Sequence, residues 1–172
     1  MRKITSIVTL ITAVVAVSTT ANAQATATAA SGATIVTPIS ITKQVDLNFG
    51  NVAVTTTAGT VMMTPGGVRS TTGGVTLPTT TGTVAAASFT VGGQADYTYN
   101  VTLPTADITL AGLTPANTMS LGSFTSSPSD TAGALLSGTQ TLTVGGTLTV
   151  KASQEADTYA NAADLTVTVN YN

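Results

Sequence analysis

Several segments of this chain place their apolar side chains at every second position. In Leu165-Thr166-Val167-Thr168-Val169-Asn170-Tyr171, residues Leu165, Val167, Val169 and Tyr171 share one side, and Thr166, Thr168 and Asn170 the other. Period two marks a strand with one buried face, and such a strand must lie in a sheet. At a sheet margin its free N–H and C=O groups are either covered or used to recruit another strand.

Composition agrees with that pattern. Thr and Val suit a pleated surface because their branched side chains stack well on it, and the Gly-Gly pairs and prolines supply turns. Disordered chains combine low hydrophobicity with high net charge. Here 42% of residues are hydrophobic and the formal net charge is −2. The expected fold is all-β, an antiparallel β-sandwich with no helix outside the N-terminal signal.

The N-terminus reads as that signal. Arg2 and Lys3 precede an apolar run from Ile4 to Val17, and Ala21-Asn22-Ala23 offers a cleavage site, so Ala23 and Gln24 should flank the cut. The apolar run is shorter than the roughly 20 residues that a spanning helix needs. The expectation is export through the periplasm to the cell surface or beyond, with residues 24–172 forming a single domain. That domain has no cysteine and therefore no disulfide. After cleavage, Lys43, Arg69 and Lys151 face seven acids, a balance that argues against nucleic acid as a partner.

Along the chain, Ala33, Ile35, Ile39 and Ile41 alternate, continued by Val45, Leu47 and Phe49. Lys43 interrupts the series and Pro38 lies inside it. A proline confines this segment to an edge strand or a kinked pair of strands. Tyr97, Tyr99, Val101 and Leu103 share a face, while Phe124 falls out of step with Met119 and Leu121 and predicts a bulge near Gly122. Residues 126–138 read as a surface loop. Gly145-Gly146 predicts a hairpin between 139–144 and 147–152. A three-residue loop would pair Val144 with Leu148 and Leu142 with Val150, and an arch between two sheets is the alternative. Leu142, Val144, Leu148, Val150, Val167 and Val169 are the expected core.

The chemistry on offer is sparse. Triads built on histidine or cysteine and zinc sites of those residues are excluded by composition. Glu155 and Asp157 would share a strand face as a solvated pair. Asp157, Asn161 and Asp164 supply oxygen ligands, yet their spacing matches no calcium loop, and turn and surface roles fit better. No catalytic, cofactor or metal site is expected, and the chain reads as a non-enzyme.

The ordered segments Asp46-Leu47-Asn48-Phe49-Gly50, Ala58-Gly59-Thr60-Val61, Gly73-Gly74-Val75, Phe89-Thr90-Val91, Tyr97–Pro104, Gly138–Val150 and Thr166–Tyr171 resemble the bacterial domain-of-unknown-function 4402 family. A fainter likeness joins Leu47-Asn48-Phe49-Gly50 and Leu165–Tyr171 to the spore coat protein U and archaic chaperone–usher pilin domains, whose usual cysteine pair is missing here. That likeness implies an Ig-like, pilin-like sandwich in a fimbrial structural subunit that self-assembles by strand addition, with a periplasmic chaperone and an usher as partners. Residues 24–41 would then supply a donor strand or an edge strand. Ile35, Ile39 and Ile41 would contact Leu165, Val167, Val169 and Tyr171 of a neighbour. The alternative is a self-contained secreted adhesin or carbohydrate-binding module.

Overall fold

The computed structural model describes residues 23–114, 116–161 and 165–172. Ten strands follow in chain order: β1 (Ser40–Val45), β2 (Ala53–Met63), β3 (Arg69–Thr76), β4 (Ala87–Gly92), β5 (Tyr97–Thr102), β6 (Ile108–Ala111), β7 (Thr118–Ser127), β8 (Gly133–Leu135), β9 (Thr139–Val150) and β10 (Thr168–Tyr171). Every ladder is antiparallel, and no helix occurs among the described residues. The larger sheet runs β1-β4-β9-β2-β3, with β7 also on β9 and β6 on β7. The smaller sheet runs β10-β5-β8. The chain divides into Met1–Thr34 and Ile35–Asn172. All ten strands belong to the second unit. In the first, residues 23–34 are exposed and carry no regular secondary structure. The Arg2–Val17 features of the signal lie outside the described residues.

β9 organises the larger sheet, and it corrects the expected hairpin. Gly145-Gly146 is neither a turn nor an arch. The strand runs through it, pairing with β4 from Thr139 to Val144 and with β2 from Gly146 to Val150 along the same edge. The opposite edge carries β7, from Ser127 against Thr143 to Ser120 against Thr149. Leu142, Val144, Leu148 and Val150 all have even numbers, so one uninterrupted strand already puts them on one face. The glycines serve clearance instead. A Cβ on Gly145 would run into the Met63 carbonyl oxygen, and one on Gly146 would sit 3.0 Å from the Phe124 ring. Neither has the positive φ of a turn glycine.

One other expectation changes, that residues 126–138 form a surface loop. β7 extends to Ser127 and β8 lies within the stretch read as a loop, its Leu135 fully buried against the smaller sheet's Tyr99. Local Ser, Gly and Pro content cannot reveal that a three-residue strand has a partner waiting for it. The bulge expected near Gly122 is present, as a register shift between Gly122 and Thr125. β1 begins two residues after Pro38 and, among the described residues, pairs only with β4, at the sheet margin, where a missing N–H costs nothing. A second register shift at Lys43–Val45 absorbs the lysine that breaks the alternation.

The apolar side chains form two clusters. In one, Phe89, Val91, Leu142 and Val144 of the larger sheet meet Tyr99, Val101, Leu135 and Val169 of the smaller, the two layers of a sandwich. In the other, Val61, Met63, Val75, Met119, Leu121, Leu148 and Val150 are covered by Phe49 and by partly buried residues of the connections, among them Leu47, Leu77 and Tyr159. Five of the six expected core residues are buried and Val167 is partly so.

Two substitutions test the continuous strand. Leu148→Ala should lower stability by about 2–4 kcal/mol, as expected for emptying a buried leucine site. Gly145→Val should lower it by about 1–3 kcal/mol or more through the Met63 collision. A urea midpoint unmoved by Gly145→Val would mean that this glycine is not held between strands.

Candidate functional site

Two neighbouring strand margins frame the site. Among the described residues β10 pairs with β5 alone, from Thr168 opposite Thr102 to Tyr171 opposite Tyr99, and β1 with β4 alone. The two strands lie close together at one side of the sandwich yet share no ladder. By contrast, the β6 margin is guarded, because Ala111 and Ala160 exchange both backbone hydrogen bonds at 2.9 and 3.0 Å.

A polar clamp joins the ends of these margins. The Tyr171 hydroxyl donates to the Thr37 carbonyl at 2.7 Å and accepts from the Gln94 N–H at 2.6 Å. The Thr37 N–H donates to Gln94 Oε1 at 3.2 Å. Gly93 has no side chain to obstruct this hydroxyl, where a Cβ would collide with it. The ring is steadied by an edge-to-face contact with Tyr97, with centroids 5.4 Å apart.

The structure draws six of the seven residues read as strand-addition contacts into one cluster of a single chain. Ile39, Ile41, Leu165, Val167 and Tyr171 pack, partly buried, around the core that contains Val169. Ile35 is 97% exposed. Ala23 and Gln24 are exposed and unstructured.

Beside the lead-in to β10, a groove of about 1010 Å³ opens between the connection following β1 and residues 154–161. Its floor is apolar, with Leu110, Met119, Leu148 and Leu165, and its rims carry Asn48, Gln154 and Asp157. Gln154 Nε2 donates to the Tyr159 hydroxyl at 2.7 Å, while its buried Oε1 has no hydrogen-bond partner among the described residues. On the far side, Arg69 reaches back from β3 to donate to the carbonyls of Phe49 and Asn51, pinning that wall.

Asp157 shapes the other wall. Its carboxylate accepts from the N–H groups of Leu113, Thr114 and Thr158 at 3.1, 3.0 and 2.8 Å, and from Asn117 Nδ2 at 3.1 Å. The Thr114 N–H foremost, then the Asn117 amide, hold its pKa at about 2. Those donors organise the β6–β7 loop and occupy the oxygens that calcium would use. Asn161 turns its amide to the Thr109 carbonyl at 2.9 Å, and Asp164 lies outside the described residues. Among the described residues no group of three or more His, Cys, Asp or Glu could hold a metal ion. Sequence reading had Asp157 as a surface acid. The four donors come from segments about 40 residues away in sequence, apart from its neighbour Thr158, so only folding reveals the latch.

Burial pushes the Tyr99 phenol up, and the group stays a donor, to Gln140 Oε1 at 2.8 Å. No helix of the described residues is long and apolar enough to cross a membrane.

A family model described as "Domain of unknown function (DUF4402)" matches residues 39–171. No curated protein and no solved structure matches the chain.

Two measurements probe this geometry. Because folding lowers the Asp157 pKa, its stabilisation is complete above the ordinary carboxylate value near 3.9 and is lost as pH falls through about 2. Melting temperature should therefore drop between pH 4 and pH 2, and Asp157→Asn should flatten part of that drop. Tyr171→Phe strips partners from the Thr37 carbonyl and the Gln94 N–H and should cost about 1–2 kcal/mol, with faster exchange of the Gln94 amide.

Proposed function

The chain belongs to the DUF4402 family, a domain of unknown function, and from that premise we propose that it is an exported structural subunit of the cell surface that assembles by strand addition. The observation carrying this reading is the pair of adjacent margins, β1 and β10, each with one ladder partner and none between them. A strand entering there would find free backbone groups on β10 and apolar side chains of Leu165 and Val167 beside it. Ile39 and Ile41 are already used by their own core, so the donor falls to the residues before Thr37. There Ala25, Ala27 and Ala29 alternate with Thr26 and Thr28, and Ile35 is exposed. Donated head to tail, such a strand builds an open filament rather than a closed ring. A periplasmic chaperone and an usher are the partners that this route of assembly calls for.

A second reading, a self-contained secreted binding module, is favoured by the packing of Ile39 and Ile41 within their own chain. Deleting residues 24–36 separates the two. Under strand addition the shortened protein keeps its melting temperature, loses its higher oligomers in sedimentation, and binds an added peptide of residues 24–37. A full-length protein that stays monomeric at high concentration overturns assembly and leaves the module.

A further inference from the structure

The stretch ahead of β1 is chemically bare. Residues 24–42 contain no Asp, Glu, Lys, Arg or His, and Lys43 is the first charge that follows. Residues 23–34 are exposed and have no regular secondary structure, and Ile35 is exposed as well. Among the described residues, the first hydrogen bonds met along this stretch are those of Thr37, with Gln94 and Tyr171. Gln24 makes none among them. The position of that glutamine matters, because the cleavage site offered by Ala21-Asn22-Ala23 would make it the first residue of the exported chain.

A glutamine that begins a chain holds a nucleophile and an electrophile in one residue. An α-amine has an ordinary pKa of about 7.7–8.0, so at neutral pH a substantial minority is unprotonated and has a free lone pair. The electrophile is the side-chain amide carbon Cδ, placed so that attack closes a lactam ring of the amine nitrogen, Cα, Cβ, Cγ and Cδ. The N–Cδ bond forms, the Cδ–Nε2 bond breaks, and Nε2 leaves as ammonia with a proton given up by the amine. Nothing is oxidised or reduced, and no co-reactant is consumed. A folded end opposes closure by holding its amine in an ion pair or its amide in a hydrogen bond. Gln24 has no such partner among the described residues, and the nearest acid along the chain is Asp46, beyond the start of β1.

We propose that Gln24 of the exported chain is a modification site that closes to pyroglutamate, leaving residues 24–42 without any charge. Gln24 has an amine only once residues 1–23 are removed, so the proposal rests on the export reading. Its consequence bears on strand addition. A donor strand led by an ammonium would carry a charge to be desolvated beside Leu165 and Val167, whereas the lactam keeps an N–H and a carbonyl and no charge.

The test is mass spectrometry of the full chain, expressed with its leader in a bacterial host and recovered after export. The intact mass should be that of residues 24–172 less one ammonia. In the tryptic peptide 24–43, which has no Asn and no Gln besides Gln24, fragment masses should place the loss at the first residue. Reductive dimethylation of a separate undigested sample should label Lys43 and Lys151 and leave the N-terminus unlabelled. Gln24→Ala leaves Ala23 in place for cleavage and should show the full mass and a labelled N-terminus. A wild-type chain that begins at Gln24 and, after prolonged incubation at neutral pH, still has a full mass and a labelled amine overturns the proposal while leaving export intact. So does a chain cut at another position, or an ammonia deficit that persists in Gln24→Ala. A protein that still carries residues 1–23 overturns the proposal and the export reading together.

Discussion

One strand has to serve two neighbours along the same edge, and the rest of the architecture follows from how that is managed. β4 accompanies the first half of β9 and β2 the second, and where one gives way to the other the backbones crowd together. A side chain on residue 145 would collide with the Met63 carbonyl and one on residue 146 would press on the Phe124 ring, so Gly145 and Gly146 stand there. β7 meets the same crossing from the opposite edge and adapts with a register shift between Gly122 and Thr125. Close packing of backbone against backbone, rather than turn formation, is what these glycines make possible.

Because β9 is long and the smaller sheet has only three short strands, the two halves of the larger sheet are covered differently. One half meets β5, β8 and β10 in an ordinary two-layer core. The other relies on irregular connections, which have no ladder of their own and must be fastened individually. Arg69 fastens the segment after β1 through two carbonyls, and Asp157 fastens the β6–β7 loop through three donors. The groove lies between these fastened segments, and Gln154 brings to it a buried acceptor without a partner among the described residues. β1 and β10, each with one ladder partner among the described residues, lie at the adjoining side.

Much of the fold was legible in the alternation. Period two located the strands, and the parity of Leu142, Val144, Leu148, Val150 and Val169 identified core residues. Phe124's departure from the parity of Met119 and Leu121 located the β7 bulge. Pro38 marked an edge. Gly145-Gly146 misled because a Gly-Gly pair has the same local signature whether it turns a chain or lets another pass close by. The even numbering of the four buried residues around it was the signal that a single strand would satisfy. β8 was hidden because three residues carry too little pattern. Asp157 was hidden because its donors are assembled by tertiary contact.

The sequence by itself determined that this chain is all-β, where most of its strands fall and which side of each is apolar, because strand geometry converts local order directly into faces. It also determined that histidine and cysteine chemistry is closed to it. Only the tertiary structure decided which strand lies beside which. It spent Ile39 and Ile41 on their own core and closed the Tyr171 clamp on Thr37. Those outcomes depend on register between segments far apart in sequence, and register is settled by packing, where a shift of one residue exchanges the buried and exposed faces.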